Sequence, residues 1–330
     1  MKKILVVGGG GIGKRHIDGF LRTGKCEVSV CEIDSEKIEQ IKQTYQVSST
    51  FSNFNSIDLS CFDAVVIATP ANYHVSMAKK CVLECVPFML EKPLSISLDG
   101  VEELLKAIGE KKILCGVGYT RRSIPSYRKL KDLINSGIAG EIKMANFYCG
   151  QDYRKIRTDY SQIYFAKKEM GGGVLRDFIT HFIDLAQWFI GKPEKGYVLQ
   201  DNLVFGDVIE TDDSAVLIGR FSGKLVSFYC NAFQKPNEFI IDLAGTKGNL
   251  KYVLVNRFLS RILFANDDSG EWKVLGEFRD EAKNYYVFQA EHFLELLEGK
   301  PNDFTTIEEA AENLKFILDA IENSKPQLSA

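Results

Sequence analysis

The chain opens on an apolar run, Ile4, Leu5, Val6 and Val7, that gives way at once to glycines. A short β-branched run with no polar alternation predicts a strand buried on both faces, as in a parallel sheet. Residues 28–31, 63–68, 86–90 and 113–117 repeat that character. Between them lie stretches of helical period, beginning near Ile12 and then over 35–45, 73–83 and 97–108; Ser35 is the expected cap of the second. Strands alternating with helices at this spacing predict a doubly wound parallel sheet over residues 1–120.

Beyond residue 120 the pattern changes. Residues 123–136 read as a helix with Pro125 in its first turn, and 142–149 as a strand. Residues 151–168 are polar, aromatic and basic, and predict a long loop over a site. Three glycines, Gly171 to Gly173, precede a helix over 174–189. Several strand-like runs with turns between them follow as far as Val274, and two helices, 285–297 and 307–323, close the chain. The expectation for 121–330 is an α+β domain with a mostly antiparallel open sheet.

The first turn carries chemistry. Gly8, Gly10 and Gly13 have the spacing G-x-G-x-x-G between a predicted strand and a predicted helix. Such glycines allow a tight turn, close approach of a pyrophosphate to the backbone, and close helix–strand packing. The N–H groups of Gly11, Ile12 and Gly13 would then face the phosphates. Glu32 ends the second strand near the spacing at which a carboxylate meets the adenosine ribose. A carboxylate there repels a 2′-phosphate, so NAD is expected over NADP. Asp34 is the near competitor for this role.

The chain has 330 residues, 45% of them hydrophobic and 26% charged, which suits two globular domains. Its net charge of −3 offers no basic field for nucleic acid or an anionic membrane. No run is long enough to span a bilayer, and the N-terminal apolar run is too short for a signal core. A cytoplasmic protein with reduced cysteines is expected. The four histidines have no metal-ligand spacing, so no metal site is predicted.

Strand ends in such sheets line one crevice, so the Gly8 loop, Glu32, Thr69–Pro70, Lys92 and the residues from Tyr119 to Arg122 should share it. Lys92 follows Glu91 at a strand end; beside a nicotinamide its pKa would fall, fitting it to move a proton during hydride transfer. Taken alone, Glu-Lys-Pro reads rather as an exposed surface lysine after a strand. Asp177 and His181 lie one turn apart on a predicted buried helix, where a carboxylate can fix an imidazole as general base. Asp184 is an alternative partner, and a satisfied core pair is the alternative role. Asn72 and His74 could border the nicotinamide or ribose, Glu91 and Lys92 are expected beside the cofactor, and Glu91 could orient Lys92. Arg122, Tyr153, Arg154 and Arg157 are expected to contact an anionic or polyhydroxyl substrate. His16 reads as a packing or capping residue.

Together these segments resemble the glucose–fructose oxidoreductase, inositol dehydrogenase and MocA family. The resemblance rests on GGGGIGKRH (8–16), VCEID (30–34), ATPANYH (68–74), EKPLS (91–95), VGYTRR (117–122) and GGGVLRDFITHFIDL (171–185). It implies a Rossmann domain followed by an open-sheet domain for substrate binding and oligomerisation. It implies that Lys92, Asp177 and His181 form the catalytic group of an NAD-dependent oxidoreductase acting on a sugar, cyclitol or sugar derivative, in a homodimer or homotetramer joined through the C-terminal sheets. The basic run at Arg154–Arg157 tilts the expectation toward an acidic or nucleotide-linked sugar. Ile179 stands where many members have Gly. Two other activities fit the same features: glycoside cleavage with a tightly held, recycled NAD, and a non-catalytic NAD-binding regulator.

Overall fold

A computed structural model of the chain describes residues 1–256, 259–267 and 269–325. It contains two compact units, Met1–Ile124 with Glu281–Ala311, and Pro125–Asp280 with the chain from Glu312 onward.

The first unit holds β1 (Lys2–Val7), α1 (Gly11–Arg22), β2 (Cys26–Cys31), α2 (Ser35–Thr44), β3 (Thr50–Phe51), β4 (Ala64–Ile67), α3 (His74–Leu83), β5 (Phe88–Glu91), α4 (Val101–Lys111) and β6 (Cys115–Gly118). All six strands are parallel, in the order β3-β2-β1-β4-β5-β6. The apolar run that opens the chain is buried on both faces, as its composition predicts. Leu5 and Val7 join Val65, Ile67, Phe88 and Leu90 under α3 and α4. Ile4 and Val6 join Val66, Met89, Ile17 and Phe20 on the opposite face. Burying each such side chain contributes roughly 1.5–3 kcal/mol.

Local chemistry moves some boundaries. Asp34, not Ser35, caps α2: its Oδ1 accepts the N–H groups of Glu36 and Lys37 at 3.0 and 3.2 Å. The helix expected from Ser97 begins at Val101, because Gly100 takes a left-handed φ of 70° and the Ser97 hydroxyl turns to Asp99. The first unit also extends beyond the boundary expected at residue 120. The helix Tyr285–Leu297 belongs to it, with Phe293 and Leu294 packed in the core beside Phe20.

The second unit holds α5 (Pro125–Asn135), β7 (Ile142–Asp152), the short α6 (Tyr153–Ile156), a π-helical turn (Leu175–Ile179) and α7 (Thr180–Ile190). There follow β8 (Pro193–Asp201), β9 (Ser214–Phe221), β10 (Lys224–Asn231), β11 (Phe233–Gly245), β12 (Asn249–Asn256), β13 (Leu259–Ala265) and β14 (Lys273–Phe278). After β14 come α8 (Tyr285–Leu297, in the first unit) and α9 (Ile307–Asn323). The strands form one sheet, β14-β13-β12-β11-β7-β10-β9-β8, antiparallel except for β7 with β10.

One face of that sheet is core. Phe147 stacks on Phe228 and meets Phe182 of α7, while Phe221 meets Phe316 of α9 edge-on. The alternate residues face outward, and a single row crosses six strands through Leu199, Val216, Tyr229, Tyr148, Ile240 and Val253. Leu199 in that row is 78% exposed. The segment expected as an open loop, 151–168, is partly built: Tyr153, Phe165 and Ala166 are buried.

Candidate functional site

In the first unit, strand register brings the expected cofactor residues to one edge. Val7 is level with Cys31 and Ile67, Ile67 with Leu90, and Glu91 with Gly118. Each strand therefore delivers its following loop to the carboxyl end of the sheet, and the strand order reverses between β1 and β4 there. Gly8 has φ 102°, and a Cβ on it would lie 2.5 Å from the Ala68 carbonyl oxygen. A Cβ on Gly13 would lie 1.8 Å from the Gly8 oxygen, so α1 can approach β1 only without one. Cβ atoms on Gly10 and Gly11 would meet nothing within 4 Å. The N-terminus of α1 thus faces open space with its first N–H groups directed outward, which fits a dinucleotide pyrophosphate.

Glu32 is buried at the end of β2. Its Oε2 accepts the Gly9 N–H at 2.6 Å and its Oε1 the Asp34 N–H at 3.0 Å. The carboxylate fastens the glycine loop and keeps lone pairs for ribose hydroxyls. Asp34, the other acidic residue weighed for the ribose, caps α2 through its Oδ1. Thr69 and Pro70 border the same edge, and Asn72 is exposed in the turn that follows.

His74 is buried rather than presented to a ligand. Its Nδ1 and Nε2 each lie 2.9 Å from a carbonyl oxygen, of Pro93 and Thr69 respectively. Burial lowers its pKa, so the ring is neutral and donates to one carbonyl at a time. It braces the loops after β4 and β5. Glu91 is also turned inward, in place of the cofactor contact expected of it. His16 Nε2 donates to Glu91 Oε1 at 2.6 Å, and the Lys92 N–H donates to Glu91 Oε2 at 3.1 Å. His16, 1% exposed, is therefore a brace on the backbone of Lys92, a role visible only once its distant partner is known. Lys92 is half-buried at the strand end.

Arg122 is corrected by the structure. It is 2% exposed, and its Nη1 reaches both carboxyl oxygens of Glu309, at 3.2 and 3.0 Å. The guanidinium is committed to the core of the first unit and not to a substrate surface.

In the second unit, Asp177 sits in the π-helical turn that leads into α7, and His181 lies in the first turn of α7. Wide turns of this kind recur at functional sites, and here the sequence pattern reads only as helix. Asp177 is buried, with Tyr164 Oη donating to its Oδ1 at 2.6 Å and Tyr153 Oη to its Oδ2 at 3.4 Å. Tyr153, expected on the substrate, instead packs between Phe165 and Phe178 with its hydroxyl on Asp177. Tyr164 was not singled out by sequence reasoning: nothing in its local pattern marks a buried partner. The turn is anchored at its start, where Asp212 Oδ2 accepts the Leu175 N–H at 2.8 Å. Burial pushes the Asp212 carboxyl up to about 6.

The two arginines of the expected basic run are paired with carboxylates. Arg154 donates to Asp152 at 2.8 Å, and Arg157 pairs with Asp159 through two contacts at 3.1 and 3.2 Å. Among the described residues there is no group of three or more His, Cys, Asp or Glu that could hold a metal, and no helix long and apolar enough to cross a membrane.

Residues 2–119 match the model of an oxidoreductase family with an NAD-binding Rossmann fold, and residues 127–251 match the C-terminal domain of the same GFO/IDH/MocA family. An uncharacterized oxidoreductase, YrbE of Bacillus subtilis, is 25% identical over 74% of this chain and 71% of its own. The scyllo-inositol 2-dehydrogenase (NAD(+)) of the same organism is 24% identical over 94% of this chain and 90% of its own. A levoglucosan dehydrogenase solved with NADH and levoglucosan superposes with a TM-score of 0.85, at 19% identity, covering 99% of this chain and 98% of that one.

Proposed function

The chain belongs to the GFO/IDH/MocA family of NAD-binding oxidoreductases, and from that membership we propose that it oxidises a secondary hydroxyl of a neutral sugar or cyclitol, with Lys92, Asp177 and His181 as its catalytic group. The observation that carries this reading is the Asp177 carboxylate, buried one turn before His181 and held by two phenolic O–H groups. Burying a carboxylate is costly, and a catalytic partner for an imidazole is a reason to retain one.

A bound NAD, held by the glycine loop and Glu32, would supply the hydride acceptor for this oxidation. His181 removes the hydroxyl proton from that carbon's oxygen and passes it to solvent, while Asp177 stabilises the imidazolium that forms. The Lys92 ammonium offsets the charge that develops on the oxygen. Glu91 and His16 hold the Lys92 backbone in place for this. The glycine loop would hold the pyrophosphate of the cofactor and Glu32 the adenosine ribose.

Neutral substrates are favoured over acidic ones because Arg154 and Arg157 already have carboxylate partners. The resemblance of the chain to an inositol dehydrogenase supports the same class. The exposed apolar row of the large sheet is proposed as the contact between copies of the chain, since contiguous apolar surface of this kind marks association. A charged residue at Leu199 or Val216 is then expected to leave monomers in light scattering.

The deciding experiment follows NADH formation from NAD with free sugars, inositols, sugar acids and nucleotide-linked sugars. Lys92→Met should lower turnover by about a hundredfold or more while NAD affinity changes little. Unchanged turnover in Lys92→Met would remove the lysine from the mechanism. Tightly bound NAD with no net NADH from any group would favour the recycled-cofactor chemistry instead.

A further inference from the structure

We propose that Tyr164, seconded by Tyr153, is a positioning residue that fixes the plane of the Asp177 carboxylate for the acid–base step. The inference rests on the reading of Asp177 as partner of the catalytic base. The two hydroxyls meet different oxygens of one carboxylate, Tyr164 on Oδ1 at 2.6 Å and Tyr153 on Oδ2 at 3.4 Å. The last torsion of an aspartate is soft, so one hydrogen bond leaves the group free to swing. Two donors on opposite oxygens remove that freedom. The shorter contact belongs to Tyr164, which therefore carries most of the effect, and charge-assisted bonds of this length are the strong ones.

Burial first, and then the Asp177 charge, push both hydroxyls above the ordinary tyrosine range, so both stay protonated and serve as donors. Tyr164 is held in place by backbone bonds in its own neighbourhood. The Lys167 N–H donates to the Tyr164 carbonyl at 3.0 Å, the Gly173 N–H to that of Phe165 at 3.0 Å, and the Thr211 hydroxyl to the same Phe165 oxygen at 2.7 Å. The loop bearing Tyr164 is thus tied to the segment that enters the Asp177 turn.

Full-length wild type, Tyr164→Phe, Asp177→Leu and the double variant would be compared in two measurements. In urea unfolding at neutral pH, Tyr164→Phe should lower the midpoint in the wild-type background and leave it unchanged or raised in the Asp177→Leu background, where the hydroxyl has lost its acceptor. In NADH formation from myo-inositol, Tyr164→Phe should lower kcat by about tenfold with KM for NAD unchanged, and Tyr153→Phe should have a smaller effect. An equal midpoint shift in both backgrounds, or a wild-type kcat in Tyr164→Phe, would overturn the proposal. Wild-type turnover in Asp177→Leu would instead remove the catalytic reading of Asp177. If myo-inositol is not oxidised by the wild type, the unfolding comparison decides whether Tyr164 holds Asp177.

Discussion

Glu32 Oε2 accepts the Gly9 N–H at 2.6 Å, so the residue proposed to read the ribose also fastens the loop proposed to meet the phosphates. Two parts of dinucleotide recognition share one carboxylate. Glu32→Ala is therefore expected to weaken NAD binding by more than a lost ribose contact, about tenfold to a hundredfold, since a hydrogen bond to a charged group contributes about 1.5–3 kcal/mol. Discrimination against NADP should relax at the same time. Asp34→Ala should cost about 1 kcal/mol of stability through the lost cap and leave the preference unchanged. Calorimetric titration of both variants with NAD and NADP checks this; a preference that follows Asp34 would transfer the ribose contact to it.

The two ends of the glycine motif should respond differently to one methyl group. Gly13→Ala places a Cβ 1.8 Å from the Gly8 oxygen and should destabilise the first unit by about 3 kcal/mol or more. Gly10→Ala meets nothing in the protein and should leave the melting temperature unchanged. The methyl would occupy space expected for the pyrophosphate, so NAD affinity should fall. Equal affinity in Gly10→Ala would place the phosphates elsewhere.

His74 makes stability depend on pH. Burial holds its pKa below the ordinary 6.5, so the unfolded chain takes up this proton before the folded one does. The His74 contribution to stability is present above pH 6.5 and is lost as pH falls through the lowered value. His74→Gln keeps an amide that can donate to the Thr69 or Pro93 carbonyl and does not titrate. Urea midpoints of the wild type should fall more steeply than those of His74→Gln between about pH 7 and 5. Parallel slopes would show that folding does not lower the His74 pKa.

Arg122 tests the correction made by the structure. Arg122→Met strands the Glu309 carboxylate and should cost about 3 kcal/mol, the lower end for a broken buried pair because Glu309 keeps some water. Adding Glu309→Leu should recover part of the loss. KM for an oxidised polyol should not move; a raised KM with unchanged stability would return Arg122 to the substrate.

What was legible in the sequence was local. The buried first strand, the glycine turn and the closing helices follow from period and composition, and the helices Tyr285–Leu297 and Ile307–Asn323 lie where their pattern places them. What escaped depends on partners far along the chain. His16 meets Glu91 across 75 positions and Arg122 meets Glu309 across 187, so neither pairing leaves a mark beside the residue itself. The π turn at Asp177 escaped for another reason: its residues have helical propensity, and the wider turn shows only in the backbone. Its anchor, Asp212, comes from a remote segment.

The return of residues 281–311 to the first unit has a consequence for biosynthesis. The nucleotide-binding core includes Phe293 and Leu294, which leave the ribosome only after the whole large sheet has been made. The unit that begins the chain is thus among the last to be completed. Until then Phe20 and Ile17 on α1 lack the side chains that cover them, and a product truncated before residue 281 would carry that apolar surface uncovered. Domains commonly fold in the order they are synthesised, but here the large sheet has its full set of strands first.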